Sequence, residues 1–230
     1  MQEQYSDKEE NAKTYFINVR KELLELIPPE LRDGNLLEIG AGTGNTLLYA
    51  KENAYAKNIY GVELCEIEDS NQKNSLFSDF IIGNIEELEL PYEEKTFDVI
   101  ICGDVLEHLI DPYSVVRSLK KYLKDDGSLI ASLPNIRQWK TLKKILIYGD
   151  FKYEDSGILD KTHLRFFTKK NMVALFEENG FAVKKIVPSE VCSGKKYNAF
   201  RRMLKFFSCK RKQFFAEFYA LQYYLISYKK

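Results

Sequence analysis

Leu36-Leu37-Glu38-Ile39-Gly40-Ala41-Gly42-Thr43-Gly44-Asn45 is an apolar run of strand length that breaks into a turn with glycine at every second position. Glycines so spaced let the backbone turn sharply and approach a ligand with no β-carbon in the way, and a helix opening just after them aims its N–H groups at that ligand. Such a loop suits a carboxylate or a phosphate, so the stretch reads as the first strand and ligand loop of a nucleoside-cofactor site. Gly-x-Gly-x-Gly alone is weakly specific, and its neighbours decide.

Tyr60-Gly61-Val62-Glu63-Leu64 reads as a second strand ending in an acid about 20 residues after the glycines, where a carboxylate accepts both hydroxyls of a ribose. A nicotinamide fingerprint needs Gly-x-Gly-x-x-Gly; here the third glycine comes one residue early and Glu38 lies inside the first strand. On these residues the chain resembles the class I S-adenosylmethionine-dependent methyltransferases. Further matches follow in the family's order at Phe80 to Leu88, at Phe97 to Leu109 and at Gly127 to Asn135, so the resemblance covers residues 36 to 135.

The spacing of strands near 36–40, 58–63, 79–83, 97–102 and 127–133, separated by helical or loop segments, predicts successive βα units and a doubly wound α/β fold with a mostly parallel sheet. Ligands bind such sheets beyond the carboxyl ends of the strands, so Gly40, Glu63, Asn84 and Gly103 are expected at one crevice. An amphipathic helix over 8–27 ends at Pro28-Pro29 and is expected to cap the cofactor side. A helix over 168–179 with Thr168 as cap, a strand over 181–188, a helix over 197–207 and a strand over 221–228 complete the reading. The resemblance implies a Rossmann-like sheet of seven strands with the last one antiparallel.

At 230 residues and 45% hydrophobic content the chain can bury one substantial core, and no linker or repeat divides it, so residues 1–230 read as one domain. Residues 134 to 167 form an insertion on the acceptor side. Lys plus Arg equals Asp plus Glu at 34 each, which does not mark a nucleic-acid binder. Cys65, Cys102, Cys192 and Cys209 lack metal-like pair spacing, and no signal peptide or long apolar span stands out, so a reduced, cytoplasmic protein is expected. Residues 195 to 212 combine basic and aromatic residues; packing onto the last strands is the simpler reading, and transient membrane or glycosyltransferase association is the alternative.

The family resemblance implies S-adenosylmethionine as cofactor. Gly40, Ala41 and Gly42 would line its methionine end, with Glu38 ordering the turn or a water near the amino group. Glu63 would hold the ribose, Leu64 and Ile85 would sandwich the adenine, and Gly103 would border the same crevice. Asn84 stands where the family commonly has aspartate; its amide oxygen still accepts and its NH₂ donates.

Both histidines fall in motif-like contexts. If Asp104 to His108 forms a helical turn, Asp104, Glu107 and His108 share one side and meet the acceptor. Residues 157 to 168, which contain His163, resemble an element of bacterial methyltransferases of cell-surface polysaccharide and glycan pathways. That resemblance implies a small-molecule or glycan hydroxyl as acceptor, with Asn135 and Trp139 near it. A hydroxyl needs a base, and His163, then His108, are the candidates. Asp104-x-x-Glu107-His108 also resembles the acid-x-x-acid-His metal motif of small-RNA and ubiquinone-pathway O-methyltransferases, which implies a divalent ion with His163 as a further ligand. RNA or quinone O-methylation, N-methylation and a noncatalytic cofactor-binding subunit stand as alternatives.

Overall fold

The computed structural model describes residues 19–189 and 217–230. Its sheet has seven strands: β1 (Asn35–Ile39), β2 (Asn58–Glu63), β3 (Asp79–Ile82), β4 (Phe97–Gly103), β5 (Leu123–Pro134), β6 (Phe181–Pro188) and β7 (Gln222–Lys229). Their order is β3-β2-β1-β4-β5-β7-β6. The first five run parallel, and β7 pairs antiparallel with both β5 and β6. The chain winds outward from β1 in one direction to β2 and β3 and in the other to β4 and β5. The switch point between β1 and β4 therefore opens a crevice at their carboxyl ends.

Side chains alternate across the sheet and meet cores on both faces. Leu36, Val99, Ile101 and Ile130 face α1 (Lys21–Leu24) and α2 (Asn45–Glu52) through Leu23, Leu24, Leu47 and Ala50. Leu37, Ile39, Ile100, Cys102 and Leu129 face α3 (Pro112–Tyr122) and α5 (Lys169–Glu177) through Val115, Val116, Leu119, Met172 and Phe176. A further helix, α4 (Trp139–Tyr148), follows β5. Local chemistry sets the boundaries. Asp111 accepts from the Ser114 N–H at 3.0 Å and Pro112 occupies the first turn of α3, while Thr168 accepts from the Asn171 N–H to cap α5.

The expected strands form within a few residues of their predicted bounds, with β5 extended back to Leu123. Of the cap helix expected over 8–27, the described part is α1 and a turn before Pro28, and the rest of that span lies outside the described residues. The helix expected over 197–207 and the basic segment 195 to 212 also lie outside them. Among the described residues no helix is long and apolar enough to cross a membrane.

Candidate active site

The loops that leave β1, β2, β3 and β4 surround one cavity of about 590 Å³, within the usual range for a small-molecule site. Gly40 (φ +72°), Gly42 (φ +55°) and Gly44 (φ +82°) carry the first loop through left-handed conformations. At Gly40 the requirement is also steric, because an added Cβ would lie 2.3 Å from Val105 Cγ2. The N–H groups of Gly40 and Ala41 both donate to the Val62 carbonyl, which ties the loop to β2. All nine residues expected to hold the cofactor, Glu38, Gly40, Ala41, Gly42, Glu63, Leu64, Asn84, Ile85 and Gly103, line this cavity.

Glu63 ends β2 with its carboxylate turned back on the loops. Oε2 accepts from the Gly42 N–H at 2.7 Å and Oε1 from the Leu64 N–H at 2.7 Å, and the backbone of Cys65 also donates to the carboxylate. Burial pushes its pKa up against these backbone donors. Glu38 is fully buried in β1, and its Oε2 has no hydrogen-bond partner. Burial pushes its pKa up to about 8, with the Arg20 guanidinium pulling down and Glu63 pushing further up. An orphaned carboxyl oxygen at the cavity wall fits the ammonium of a methionine moiety, and the Glu63 carboxylate fits a pair of vicinal hydroxyls. Asn84 is held by its neighbours, accepting from the Glu86 N–H and donating to Glu87 Oε1.

The segment after β4 differs from expectation. Asp104 takes a left-handed conformation (φ +53°), and only Leu106–His108 forms a tight 3₁₀ turn. Asp104 is held by other partners: it pairs with Arg20, and its Oδ1 accepts from the Ser132 hydroxyl at 2.7 Å, while its charge still acts on Glu107 in the same cavity. This corrects the predicted Asp104-Glu107-His108 grouping, since a single residue at positive φ breaks the helical offset on which it rested. Glu107, His108 and His163 instead converge, with one ligand-type atom from each lying within 4.8 Å of the others.

Long-range contacts assemble this second cluster. The carbonyl of Glu107 accepts from the N–H groups of Leu164 and Arg165 at 2.9 and 3.0 Å, which clamps the 157–165 loop over the end of β4. His163 Nδ1 lies 3.0 Å from the Ile158 carbonyl, and His108 Nδ1 lies 3.1 Å from the Thr162 carbonyl. A carbonyl only accepts, so each Nδ1 carries a proton. His163 Nε2 is 4.0 Å from Glu107 Oε1. Glu107 is 1% exposed, its Oε2 has no hydrogen-bond partner, and burial together with Asp104 holds its pKa well above the usual carboxylate range. Two imidazoles beside a buried carboxyl group are ligand types that a divalent cation takes.

Asn135 and Trp139 stand apart from the cavity wall. The Asn135 side chain is fully buried, donates to the carbonyls of Glu217 and Ala220, and accepts from the Arg137 N–H. Its amide is committed to holding β5 against the start of β7, which corrects the expectation that it meets an acceptor. Trp139 opens α4 and is half exposed. Two other residues were missed by sequence reasoning. Arg20 lines the cavity and bonds Asp104, Glu22 and Ser132; its signal was a charge in the helix predicted over 8–27, four residues after Phe16 and four before Leu24 in the sequence. Gln72 donates to the Gly42 carbonyl at 2.8 Å, and nothing local marks it.

Comparisons with known proteins bear on the family and the fold. A family model described as a methyltransferase domain matches residues 10–186. An uncharacterised protein of Methanocaldococcus jannaschii is 28% identical over 174 residues, covering 69% of this chain and 66% of that protein. A ubiquinone biosynthesis O-methyltransferase of Glaesserella parasuis is 26% identical over 119 residues, covering 52% and 50%. The chain thus spans about half to two thirds of the length of these two relatives. Among solved structures, an S-adenosylmethionine-dependent methyltransferase from Archaeoglobus fulgidus superposes with a TM-score of 0.65 at 19% identity, covering 95% of this chain and 94% of that one.

Proposed function

The chain belongs to the methyltransferase-domain family, and from that premise we propose that it transfers a methyl group from S-adenosylmethionine to a hydroxyl oxygen positioned at a divalent cation held by Glu107, His108 and His163. S-adenosylmethionine, the cofactor that the family and fold imply, supplies an electrophilic methyl on a sulfonium and departs as S-adenosylhomocysteine. Glu63 would accept from the ribose hydroxyls, Glu38 would meet the ammonium, and the glycine loop would border the methionine end. These contacts would fix the donor so that attack is in line.

The observation that carries the proposal is the convergence of Glu107, His108 and His163 at the cavity, with both Nδ1 protons directed to carbonyls. A cation held there would supply Lewis acidity, lowering the pKa of an acceptor hydroxyl so that its proton could be lost to water before methyl transfer, and such an ion would suit an acceptor with two adjacent oxygens, such as a vicinal diol. The sugar acceptor suggested by residues 157 to 168 has no counterpart in the relatives named above, one of which is a quinone-pathway O-methyltransferase. A diol acceptor accommodates both classes. In a second reading, the same Nε2 geometry lets His163 take the hydroxyl proton without an ion.

An acceptor screen with labelled S-adenosylmethionine tests the proposal. Transfer to diols is expected to stop on chelation and to return with Mn²⁺, Zn²⁺ or Mg²⁺, and Glu107→Gln and His163→Ala are expected to weaken Mn²⁺ binding measured by calorimetry. Full activity after chelation rejects the cation and leaves His163 as the base, in which case His163→Ala lowers turnover by about 10² to 10⁴ with donor binding intact. Tight donor binding with no transfer to any acceptor returns the chain to a noncatalytic subunit.

A further inference from the structure

Both imidazoles rest on one loop, and a single side chain shapes it. Asp160 Oδ1 accepts from the Thr162 N–H at 2.8 Å and from the Thr162 hydroxyl at 2.7 Å. The Asp160 carbonyl accepts from the His163 N–H at 3.0 Å, and the Asp160 N–H donates to the Gly157 carbonyl at 3.1 Å, closing a turn that contains Ile158. Asp160, Thr162 and His163 are all buried. An aspartate that bonds the backbone two residues further on imposes a turn of its own on the chain. This carboxylate has no part in the transfer proposed above.

We propose that Asp160 is the positioning residue of the histidine pair, its carboxylate setting the loop whose carbonyls take the Nδ1 protons of His108 and His163. The Thr162 carbonyl and the His163 N–H belong to one planar peptide group. Its N–H end is held by the Asp160 carbonyl, and its oxygen lies 3.1 Å from His108 Nδ1. The Ile158 carbonyl lies 3.0 Å from His163 Nδ1. So placed, the two rings meet edge to face with centroids 4.7 Å apart. A carbonyl behind each Nδ1 fixes the tautomer and the ring orientation, so a cation or an acceptor proton is met through Nε2.

One carboxylate oxygen takes both donors of Thr162 at once. An amide oxygen in its place still accepts, whereas alanine leaves the buried N–H and hydroxyl of Thr162 without that acceptor. The Thr162–His163 peptide then loses its hold, and the carbonyl behind His108 turns with it. Asp160 also acts on the site by its charge, which helps to push the Glu107 pKa up. Asp160→Asn separates that charge from the placement of the rings. The inference rests on the proposed transfer only for what the imidazoles then do, and their placement is measured without it.

The chain has only two histidines, so a long-range ¹H–¹⁵N correlation spectrum of the ¹⁵N-labelled, metal-free protein resolves both rings. Each neutral ring is expected in the Nδ1–H form. In Asp160→Ala the Nε2–H form of His108 should become populated, and Mn²⁺ affinity measured by calorimetry should fall by about 10- to 100-fold, the usual loss when the group behind a ligand is disturbed. Asp160→Asn should keep both tautomers and most of that affinity. Should the alanine variant fail to fold, Thr162→Val, which removes only the hydroxyl bond, should shift His108 the same way by a smaller amount. An Nε2–H ring in the unaltered protein overturns the proposal. So do unchanged tautomers in folded Asp160→Ala, in Thr162→Val where that variant stands in for it, or an asparagine variant that behaves like alanine. Should no Mn²⁺ bind at all, the cation fails while the ring spectra still decide the part of Asp160.

Discussion

At Glu63 one carboxylate serves both the fold and the ligand. It satisfies backbone N–H groups of neighbouring loops, and ribose hydroxyls would bond to the same carboxylate. Glu63→Ala is expected to weaken S-adenosylmethionine binding by about 1.5–3 kcal/mol, the scale of hydrogen bonds to a charged group. Glu63→Gln should lose less, since an amide oxygen still accepts. Calorimetry on both folded variants decides, and unchanged affinity in Glu63→Ala removes the residue from the donor site. Asp104 teaches the opposite lesson: its position in a motif suggested chemistry, whereas its positive φ and its pairing with Arg20 give it a scaffolding place between α1 and β4.

Among elements, the loop between β1 and α2 and the short helix α1 matter most to the donor site. Gly40→Ala forces an L-residue into the left-handed region, a cost of about 1–2 kcal/mol, and adds a clash with Val105. Thermal unfolding should show the loss, and Gly40→Ala/Val105→Ala should recover the steric part while the conformational cost remains. Arg20→Met leaves Asp104 more than four-fifths buried without its cation. Removing one member of such a pair costs about 3 kcal/mol. Urea denaturation should register it, and Arg20→Met/Asp104→Asn should regain part of the loss. In helix α4 only Thr141 is buried, and Leu146, Ile147 and Tyr148 at its end are exposed.

For the molecule as a whole, Glu38, Glu63 and Glu107 are buried carboxyls with raised pKa values. Each keeps its proton in the folded state at pH values where the unfolded chain has released it. The folded state then binds more protons, so stability falls as pH rises from about 4.5 towards the Glu38 value of about 8. In the donor-free protein the fall should be on the order of a few kcal/mol. Glu38→Gln should flatten it, and urea midpoints between pH 5 and pH 8 measure it. The order of strands, the glycine loop and the acid after β2 were legible in the sequence, because each is fixed by backbone geometry and by periodicity within a few residues. The meeting of Gly40, Glu63, Asn84 and Gly103 at one cavity followed from them, since parallel strands deliver their carboxyl ends to one edge, and the family resemblance added Glu38, Ala41, Gly42, Leu64 and Ile85 to that set. The fate of Asp104, the commitment of Asn135 to the carbonyls of Glu217 and Ala220, and the meeting of His108 with His163 were decided by the tertiary structure alone. They depend on one residue's φ and on contacts between segments 54 to 85 residues apart, which no local pattern encodes.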